Sequence, residues 1–295
     1  MHQFSFFQEI NLLKQRIITA IVLLLILVPA IAAGNPVPFA ALMLLAVVAA
    51  AWEWGRLNGL QGMAAYGLGA VALVLCGAAW ALGWTQAPLP GVWLVAGAAW
   101  VLLAAYLLKA GVPGWAPIPR ALRLVVGVLA LWVAWLAIAQ AKWIGVNFLL
   151  SLFALVWMAD IGAYFAGRQF GLCFTKSKLA PAISPGKSWE GVWGGALGVL
   201  LMALVWSWAD RHFGAQVPSL YSRLWDFSPW LMVLSCVFLA GMSVAGDLVE
   251  SLVKRSAGMK DSSQLLPGHG GVLDRIDAIL PTVPLALMLL QFLDK

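Results

Sequence analysis

The chain has 295 residues, of which 63% are hydrophobic and 10% are charged, and its formal net charge is +6. Its mean hydropathy of +0.92 is far above that of a soluble domain, which excludes an ordinary globular fold. Nucleic-acid binding is disfavoured, because no basic domain is present to carry it. The three cysteines share no metal-ligand spacing, and Cys76 and Cys236 lie in apolar runs as small packing residues.

Continuous apolar runs dominate the chain. About 20 mostly apolar residues are needed to span a bilayer as a helix, and backbone hydrogen bonds within the bilayer must be satisfied internally. The runs do not alternate as barrel strands do. The sequence therefore predicts an all-α polytopic membrane protein with nine transmembrane helices, over residues 17–33, 37–53, 66–84, 91–108, 121–140, 146–166, 192–208, 229–247 and 276–293.

The distribution of lysine and arginine predicts the orientation. With a cytoplasmic N-terminus, fourteen of the 18 basic residues fall on the inner side and four on the outer side. This asymmetry agrees with the positive-inside rule and places the C-terminus outside. It also places two long inner loops, residues 167–191 and 248–275, on the cytoplasmic face.

The chain divides into two halves of different character. Residues 1–145 carry almost no charge within the predicted spans, so we interpret spans 1–5 as a membrane scaffold that gives lipid access or homodimer contact. Residues 146–295 hold spans 6–9 and both long inner loops, and polar groups enter the helix ends there. This half is the predicted catalytic half.

Asp160 is an ionisable residue within the sixth span. Such a residue is costly in a membrane and indicates a functional site. Tyr164 and Arg168 follow at four-residue steps on the same helical face. The alternative is a purely structural ion pair between Asp160 and Arg168 or a neighbouring helix.

The first long inner loop contains the sequence SPGKS just before the seventh span. Ser184, Lys187 and Ser188 there offer hydroxyls, a cation and free N–H groups at a helix N-terminus, where anions are favoured. The segment lacks the earlier glycine and the preceding strand of a Walker A loop. The alternative is a helix cap with ordinary positive-inside charge.

The second long inner loop concentrates charge of both signs. Seven of the 30 Asp, Glu, Lys and Arg residues fall within residues 251–277. Asp247, Glu250, Ser251 and Lys254 form one helical stripe before it. Carboxylates at both ends of the glycine-rich turn suit a hard divalent cation, and the neighbouring basic residues suit phosphate oxygens. The alternatives are helix capping for Asp274 and Asp277 and solvated surface charge for the basic residues.

The segment SLVKRSAGMKDSSQLLPGHGGVLDRID resembles the signature of the phosphatidate cytidylyltransferases, also called CDP-diacylglycerol synthases. The matching positions are Ser251, Lys254, Arg255, Lys260, Asp261, His269, Gly270, Gly271, Asp274, Arg275 and Asp277. SPGKSWEG and the Asp160 segment also resemble family features, whereas residues 1–145 match only in character.

This resemblance implies that CTP and phosphatidate react to give CDP-diacylglycerol and pyrophosphate, with Mg²⁺ required and room for a second cation. It assigns Asp247, Asp274 and Asp277 to the metal, and Lys254, Arg255 and Lys260 to the phosphates. Lys187, Ser184, Ser188, Ser251, Asp261, His269, Arg275 and Asp160 are the further candidates for substrate binding. The expected location is a bacterial-type inner membrane, with the active site facing the cytoplasm.

Two other classes of protein remain possible from the residues alone. An anion transporter would also carry charges within spans, but these would more often lie at broken helices in mid-membrane. A lipid-phosphate kinase or another CDP-alcohol transferase is the nearer enzymatic alternative. The latter would be expected to show a compact Asp-rich DG-x-x-A-R motif, which is absent.

Overall fold

The computed structural model describes residues 2–293, with side chains from residue 13 onward. It is a helical bundle with one small two-stranded sheet. The helices are α1 (His2–Ala32), α2 (Val37–Leu57), α3 (Gly62–Ala81), α4 (Pro90–Ala110), α5 (Arg120–Ile144), α6 (Val146–Phe170), α7 (Trp189–His212), α8 (Leu220–Phe227), α9 (Pro229–Ser256), α10 (Leu273–Ile276) and α11 (Ile279–Leu290). The antiparallel strands are β1 (Lys178–Ala180) and β2 (Ser184–Ser188).

Eight of the described helices, α1–α7 and α9, are long and apolar enough to cross a membrane. Their hydrophobic surfaces are widely exposed, as helices facing lipid require. The predicted all-α polytopic membrane architecture is confirmed.

The segment predicted as the ninth span is not among the eight long apolar helices. Residues 276–293 contain α11, which has only 12 residues and includes Pro284. Asp277 and Ala278, which join α10 to α11, keep helical backbone angles, so the chain passes from α10 into α11 without a sharp break. Most of α11 is buried, because it packs against α4, α5 and α9 inside the bundle. Its high apolar content therefore reflects a protein core position, which hydropathy alone does not distinguish from a lipid-facing one.

Helices α6 and α7 pack with their backbones almost in contact. A β-carbon on Gly162 would lie 2.9 Å from the Gly194 carbonyl oxygen, and one on Gly191 would lie 2.9 Å from the Ala163 carbonyl oxygen. Small residues permit such close approach between membrane helices. This packing brings the Asp160 face of α6 beside the start of α7.

Long-range hydrogen bonds define the end of the bundle that carries the signature. Arg16, midway along α1 and near the start of its apolar stretch Leu13–Ala32, donates to the Gly268 carbonyl oxygen at 3.1 Å. Arg120 at the start of α5 donates to the Gly59 carbonyl oxygen at 2.6 Å. The first inner loop joins them, because Arg255 donates to the Ile183 carbonyl oxygen at 3.4 Å. The two predicted inner loops, residue 16 of α1 and the first turn of α5 thus lie at one end, here called the signature end.

Different contacts define the other end of the bundle. Lys142 donates to the Ile31 carbonyl oxygen at 2.5 Å and to the Ala33 carbonyl oxygen at 2.9 Å. Asn147 donates to Asp210 at 2.8 Å. The predicted outer basic residue Lys142 therefore lies at the end opposite the signature.

Helix α9 is longer than the predicted eighth span. It continues to Ser256, so Asp247 lies more than two turns before its end rather than at it. The helix continues through polar residues because Lys254 and Glu250 pair with each other and Lys254 pairs with Asp274. Buried charges are tolerated when they are paired.

Candidate functional site

A cleft of about 480 Å³ opens at the signature end between α6, α7, α9 and β2. Both glycines and charged side chains line it, as expected of a site that admits a polar ligand. The lining residues are Asp160, Ala163, Tyr164, Gly167, Arg168, Gly186, Lys187, Ser188, Gly191, Val192, Val244 and Asp247. The cleft thus contains residues from three segments that the sequence separated by up to 87 positions.

Lys187 and Asp247 form an ion pair across this cleft, with Nζ 2.6 Å from Oδ2. Their side chains are 23% and 30% exposed, so both remain accessible to a ligand. Ser251 donates to Asp247 Oδ1 at 3.2 Å. The structure therefore places Lys187 with Asp247 and Ser251, as expected if the two inner loops form one site.

Asp160 lies on the cleft wall formed by α6, ten residues before that helix ends. Arg168 donates to the Tyr164 hydroxyl at 3.0 Å, which places this cation on the same wall. The structural alternative of an Asp160–Arg168 ion pair does not occur. Asp160 and Arg168 thus place side chains of opposite charge on the same wall of the cleft.

The SPGKS segment forms a strand rather than an open loop. Ser184 pairs with Ala180 and Ser188 with Lys178 in the β1–β2 hairpin, so the expected free N–H groups are partly replaced by sheet pairing. The expected helix cap is confirmed, because Ser188 Oγ accepts from the Gly191 N–H at 3.1 Å. The hairpin presents Lys187 to the cleft.

A second charged cluster lies beside the cleft and centres on Lys254. Its Nζ is 2.5 Å from Glu250 Oε2 and 2.6 Å from Asp274 Oδ1. All three side chains are at most 13% exposed. One ammonium group therefore balances two carboxyl groups, one from α9 and one from α10.

Asp274 lies on α10, outside the eight spanning helices. Its Oδ2 also accepts from the Ser262 N–H at 3.0 Å, the Ser262 hydroxyl at 2.9 Å and the Gly271 N–H at 2.7 Å. Burial opposes ionisation, but the contacts with Glu250, Lys254 and the Gly271 N–H outweigh it and lower the pKa of Asp274 to about 2. The resulting stability is present above the ordinary value of 3.8 and is lost as pH falls towards 2.

Glu53 on α2 also contacts the loop between α9 and α10, residues 257–272, here called the signature loop. This side chain is fully buried. Its oxygens accept from the Val272 N–H at 2.9 Å, the Leu273 N–H at 2.7 Å and the Ser263 hydroxyl at 2.5 Å. The predicted scaffold half thus supplies a carboxylate directly to the signature loop.

Three glycines allow the signature loop to turn back onto α9. Gly268 and Gly270 have φ of +75° and +81°, a region that glycine adopts readily. A β-carbon on Gly270 would lie 2.7 Å from Asp274 Oδ2, and one on Gly271 would overlap Ser262 and Glu53. The predicted tight return is confirmed, and Gly271 is needed for space rather than for its φ.

We expect Gly271→Ala to lower the melting temperature by about 5 °C, because the added methyl group must displace Ser262 or Glu53. The measurement is thermal unfolding of the purified protein in detergent. Gly241→Ala in α9 is the matched control, since nothing lies within 4 Å of a β-carbon added there. Equal melting temperatures for the two variants would contradict this account of the turn.

The remaining signature residues lie outside the cleft lining. Arg255 donates to the Ile183 carbonyl oxygen at 3.4 Å, and Arg275 donates to the His269 carbonyl oxygen at 2.9 Å. Lys260 and Asp261 are exposed. Arg255, Lys260 and Asp261 are therefore available to a ligand that enters from the aqueous side.

The predicted metal ligands do not converge on one point in the described part of the chain. No group of three or more His, Cys, Asp or Glu side chains there is placed to hold a metal ion. Asp247 instead faces Lys187, and Asp274 faces Lys254. Burial, followed by the charges of Asp247 and Asp160, raises the pKa of Asp277, which begins the segment after α10. Asp160, Asp247 and Asp277 thus form a region of mutual repulsion that a cation would relieve.

The sequence that forms this site matches a known protein family. A model described as "Cytidylyltransferase family" matches residues 14–293. The chain belongs to the cytidylyltransferase family. The family match covers both halves of the chain, including α1 and the Glu53 segment as well as the signature.

One curated relative matches nearly the whole chain, and two others match about half of it. A phosphatidate cytidylyltransferase of Pseudomonas aeruginosa is 40% identical over 287 residues, covering 95% of this chain and 97% of that protein. One of Haemophilus influenzae is 49% identical over 140 residues, which is 48% of this chain and 44% of that protein. One of Staphylococcus epidermidis is 41% identical over 147 residues, half of each chain.

Sequence reasoning missed several residues of this site. Glu53 stands near the end of an apolar span between two tryptophans, and nothing in that pattern indicates a partner more than 200 residues away. Arg16 and Thr19, which donate to Gly268 and Pro267, were equally hidden in the first span. Glu250 was predicted, with Asp247, as one of the carboxylate pairs for a cation, and the structure pairs it with Lys254 instead.

Proposed function

We propose that this chain transfers the cytidylyl group of CTP to phosphatidate, giving CDP-diacylglycerol and pyrophosphate. The observation that carries the proposal is the 40% identity to a phosphatidate cytidylyltransferase over 95% of the chain. The charged cleft at one end of a membrane bundle supports it. A lipid phosphate can reach this cleft from the membrane, and a nucleotide can reach it from water.

The reaction requires two anions to approach each other. A phosphate oxygen of phosphatidate forms a bond to the α-phosphorus of CTP, and the bond from that phosphorus to the bridging oxygen of the β-phosphate breaks. The nucleophile is already anionic, so no strong general base is needed. Lys187 and Arg168 line the cleft and can neutralise phosphate oxygens while holding the reacting groups in line.

Mg²⁺ is part of the proposal, with a second cation allowed. Asp247, Asp274 and Asp277 carry the carboxylate oxygens that Mg²⁺ prefers. They do not share one point in the described residues, so these side chains would have to move together when metal and substrate bind. The metal would neutralise phosphate charge and favour the in-line arrangement. Lys187 and Lys254 pair with these acids in the structure, and on substrate binding they would exchange carboxylate partners for phosphate oxygens.

We also propose that the signature end faces the cytoplasm of a bacterial-type inner membrane, where CTP is available. In a Cys173→Ser background, a membrane-impermeant maleimide should label His212→Cys in sealed cells and should not label Ala257→Cys. Both positions are exposed and lie at opposite ends of the bundle, and the other two cysteines are buried. Permeabilised cells should label both, and labelling of A257C from outside would reverse the orientation.

Lys187→Ala should reduce kcat/KM for CTP by about 10- to 100-fold, because a charge-assisted contact to phosphate is lost. The measurement is steady-state turnover at varied CTP with phosphatidate in excess. Lys176→Ala is the matched control, since Lys176 is an exposed lysine of the same loop outside the cleft. Unchanged kinetics in both variants would mean that Lys187 contributes only positive charge on the inner side and does not contact CTP.

The assay that tests the function uses purified protein in detergent with α-labelled CTP, Mg²⁺ and dispersed phosphatidate. We expect label to enter the lipid fraction only when phosphatidate is present, with one pyrophosphate released for each label transferred. Diacylglycerol, which lacks the phosphate nucleophile, is the control acceptor. Absence of labelled lipid with phosphatidate in the folded protein would refute the proposal.

A further inference from the structure

Glu53 connects the two ends of the signature loop through one buried carboxylate. Ser263 Oγ donates to Oε1 at 2.5 Å, and Ser262 Oγ lies 3.2 Å from Oε2. Ten residues later, the Val272 and Leu273 N–H groups donate to Oε1 and Oε2. The loop is therefore closed on itself by a side chain that belongs to another helix.

The residues that this closure places are those on which the proposed reaction depends. Asp274 directly follows Leu273, and Lys260 and Asp261 directly precede Ser262. Displacement of the loop end at residues 272–273 would therefore move the Asp274 carboxylate away from Lys254, which it contacts at 2.6 Å. Glu53 itself is fully buried and does not line the cleft, so it acts through the loop rather than on a substrate.

The Ser262 hydroxyl lies between two carboxylates. Its oxygen is 2.9 Å from Asp274 Oδ2 and 3.2 Å from Glu53 Oε2. A hydroxyl has one hydrogen to donate, so it serves one carboxylate at a time. If Asp274 turns towards a ligand, the Ser262 hydroxyl can donate its hydrogen bond to Glu53 instead. The loop then keeps its attachment to α2.

We infer that Glu53 is a positioning residue for the proposed transfer reaction: it holds the signature loop in register while Asp274 changes partners. This inference rests on the proposed function for its catalytic consequence and on the hydrogen bonds alone for its structural one. Glutamine at this position keeps the shape but puts an NH₂ group opposite N–H donors, so part of the attachment is lost.

The test is Glu53→Gln, assayed by steady-state kinetics and by hydrogen–deuterium exchange of the purified protein in detergent. Exchange in residues 259–273 should accelerate by about tenfold, because a net hydrogen bond to a charged acceptor is lost. Turnover per folded molecule should fall by about 10- to 100-fold. The KM for CTP should change by no more than about threefold, since Glu53 does not contact the cleft.

Asp210→Asn is the matched control. Asp210 holds a loop at the opposite end of the bundle, accepting from the Ser219 N–H and the Ser222 hydroxyl at 2.9 and 2.6 Å. If Glu53 only contributes to stability, E53Q and D210N should lose turnover in the same proportion to their melting temperatures. If it positions the loop, only E53Q should lose turnover below its melting transition.

Ser263→Ala gives a milder version of the same test if E53Q does not fold. It removes the 2.5 Å contact to Glu53 and the 3.0 Å hydrogen bond that Ser263 Oγ accepts from the Leu265 N–H within the loop. It should lower turnover by about threefold to tenfold, with faster exchange in the same loop. Unchanged exchange and turnover in a folded E53Q or S263A would overturn the inference. A wild-type protein without transfer activity would refute the proposed function, while the exchange measurement would still decide the role of Glu53.

Discussion

Asp274→Asn is expected to abolish nearly all turnover, with a loss of about 10³-fold or more in kcat at millimolar Mg²⁺. Asp274 accepts from Lys254, from Ser262 and from the Gly271 N–H. Asparagine removes the charge and turns an NH₂ group towards at least one of these donors. A neutral amide is also a poor substitute for a carboxylate at a hard cation, and loss of one group that stabilises transition-state charge typically costs about 10²- to 10³-fold.

The measurement is transfer of labelled CTP to phosphatidate, alongside the melting temperature of the same preparation. Asp226→Asn is the control, because Asp226 is an exposed acid whose ion pair with Arg211 lies at the opposite end of the bundle at 3.4 Å. Asp247→Asn should resemble Asp274→Asn, since Asp247 lines the cleft. Near-normal turnover in both D247N and D274N would refute the metal site, because asparagine would then suffice as a helix cap.

Lys254→Met is expected to damage both stability and catalysis. The ammonium group lies 2.5 Å from Glu250 and 2.6 Å from Asp274, with only 13% of the side chain exposed. Removing it leaves two neighbouring carboxyl groups without a counter-charge, and breaking a buried pair in this way costs about 3–5 kcal/mol. We expect a melting temperature lower by about 10 °C and a loss of about 10²-fold or more in kcat.

A second substitution separates these two effects. Glu250→Gln combined with Lys254→Met removes one carboxyl group along with the ammonium, so much of the lost melting temperature should return. Turnover should remain low, because the cation that is proposed to contact phosphate is still absent. Lys109→Met, at an exposed lysine near the end of α4, should change neither property. Restored turnover in the double variant would mean that Lys254 only balances charge.

The membrane architecture and the identity of the signature could be predicted because both depend on local sequence patterns. A helix in lipid must be apolar along its whole length, so α1–α7 and α9 were found with only their ends misplaced. The positive φ at Gly268 and Gly270 was likewise foreseeable, since few other residues adopt it. The pairing of Lys187 with Asp247 agreed with the expectation that both inner loops serve one site.

Hydropathy does not distinguish a helix buried in protein from a helix that faces lipid, because both are apolar. The apolar run of α11 is as hydrophobic as a span, and most of its residues are buried against α4, α5 and α9. The extension of α9 past Asp247 was also hidden, because Glu250 and Lys254 resemble a helix end until their partner Asp274 is known.

The sequence by itself thus determined which segments lie in the membrane and which residues could carry phosphate chemistry. Only the tertiary structure decided how those residues are held. Glu53 closes the signature loop from 220 positions away in the chain, measured to Leu273, and Lys254 joins α9 to α10. Local periodicity reports which face of a helix is apolar. It does not report which distant donor meets a buried carboxylate, because that depends on how the helices pack.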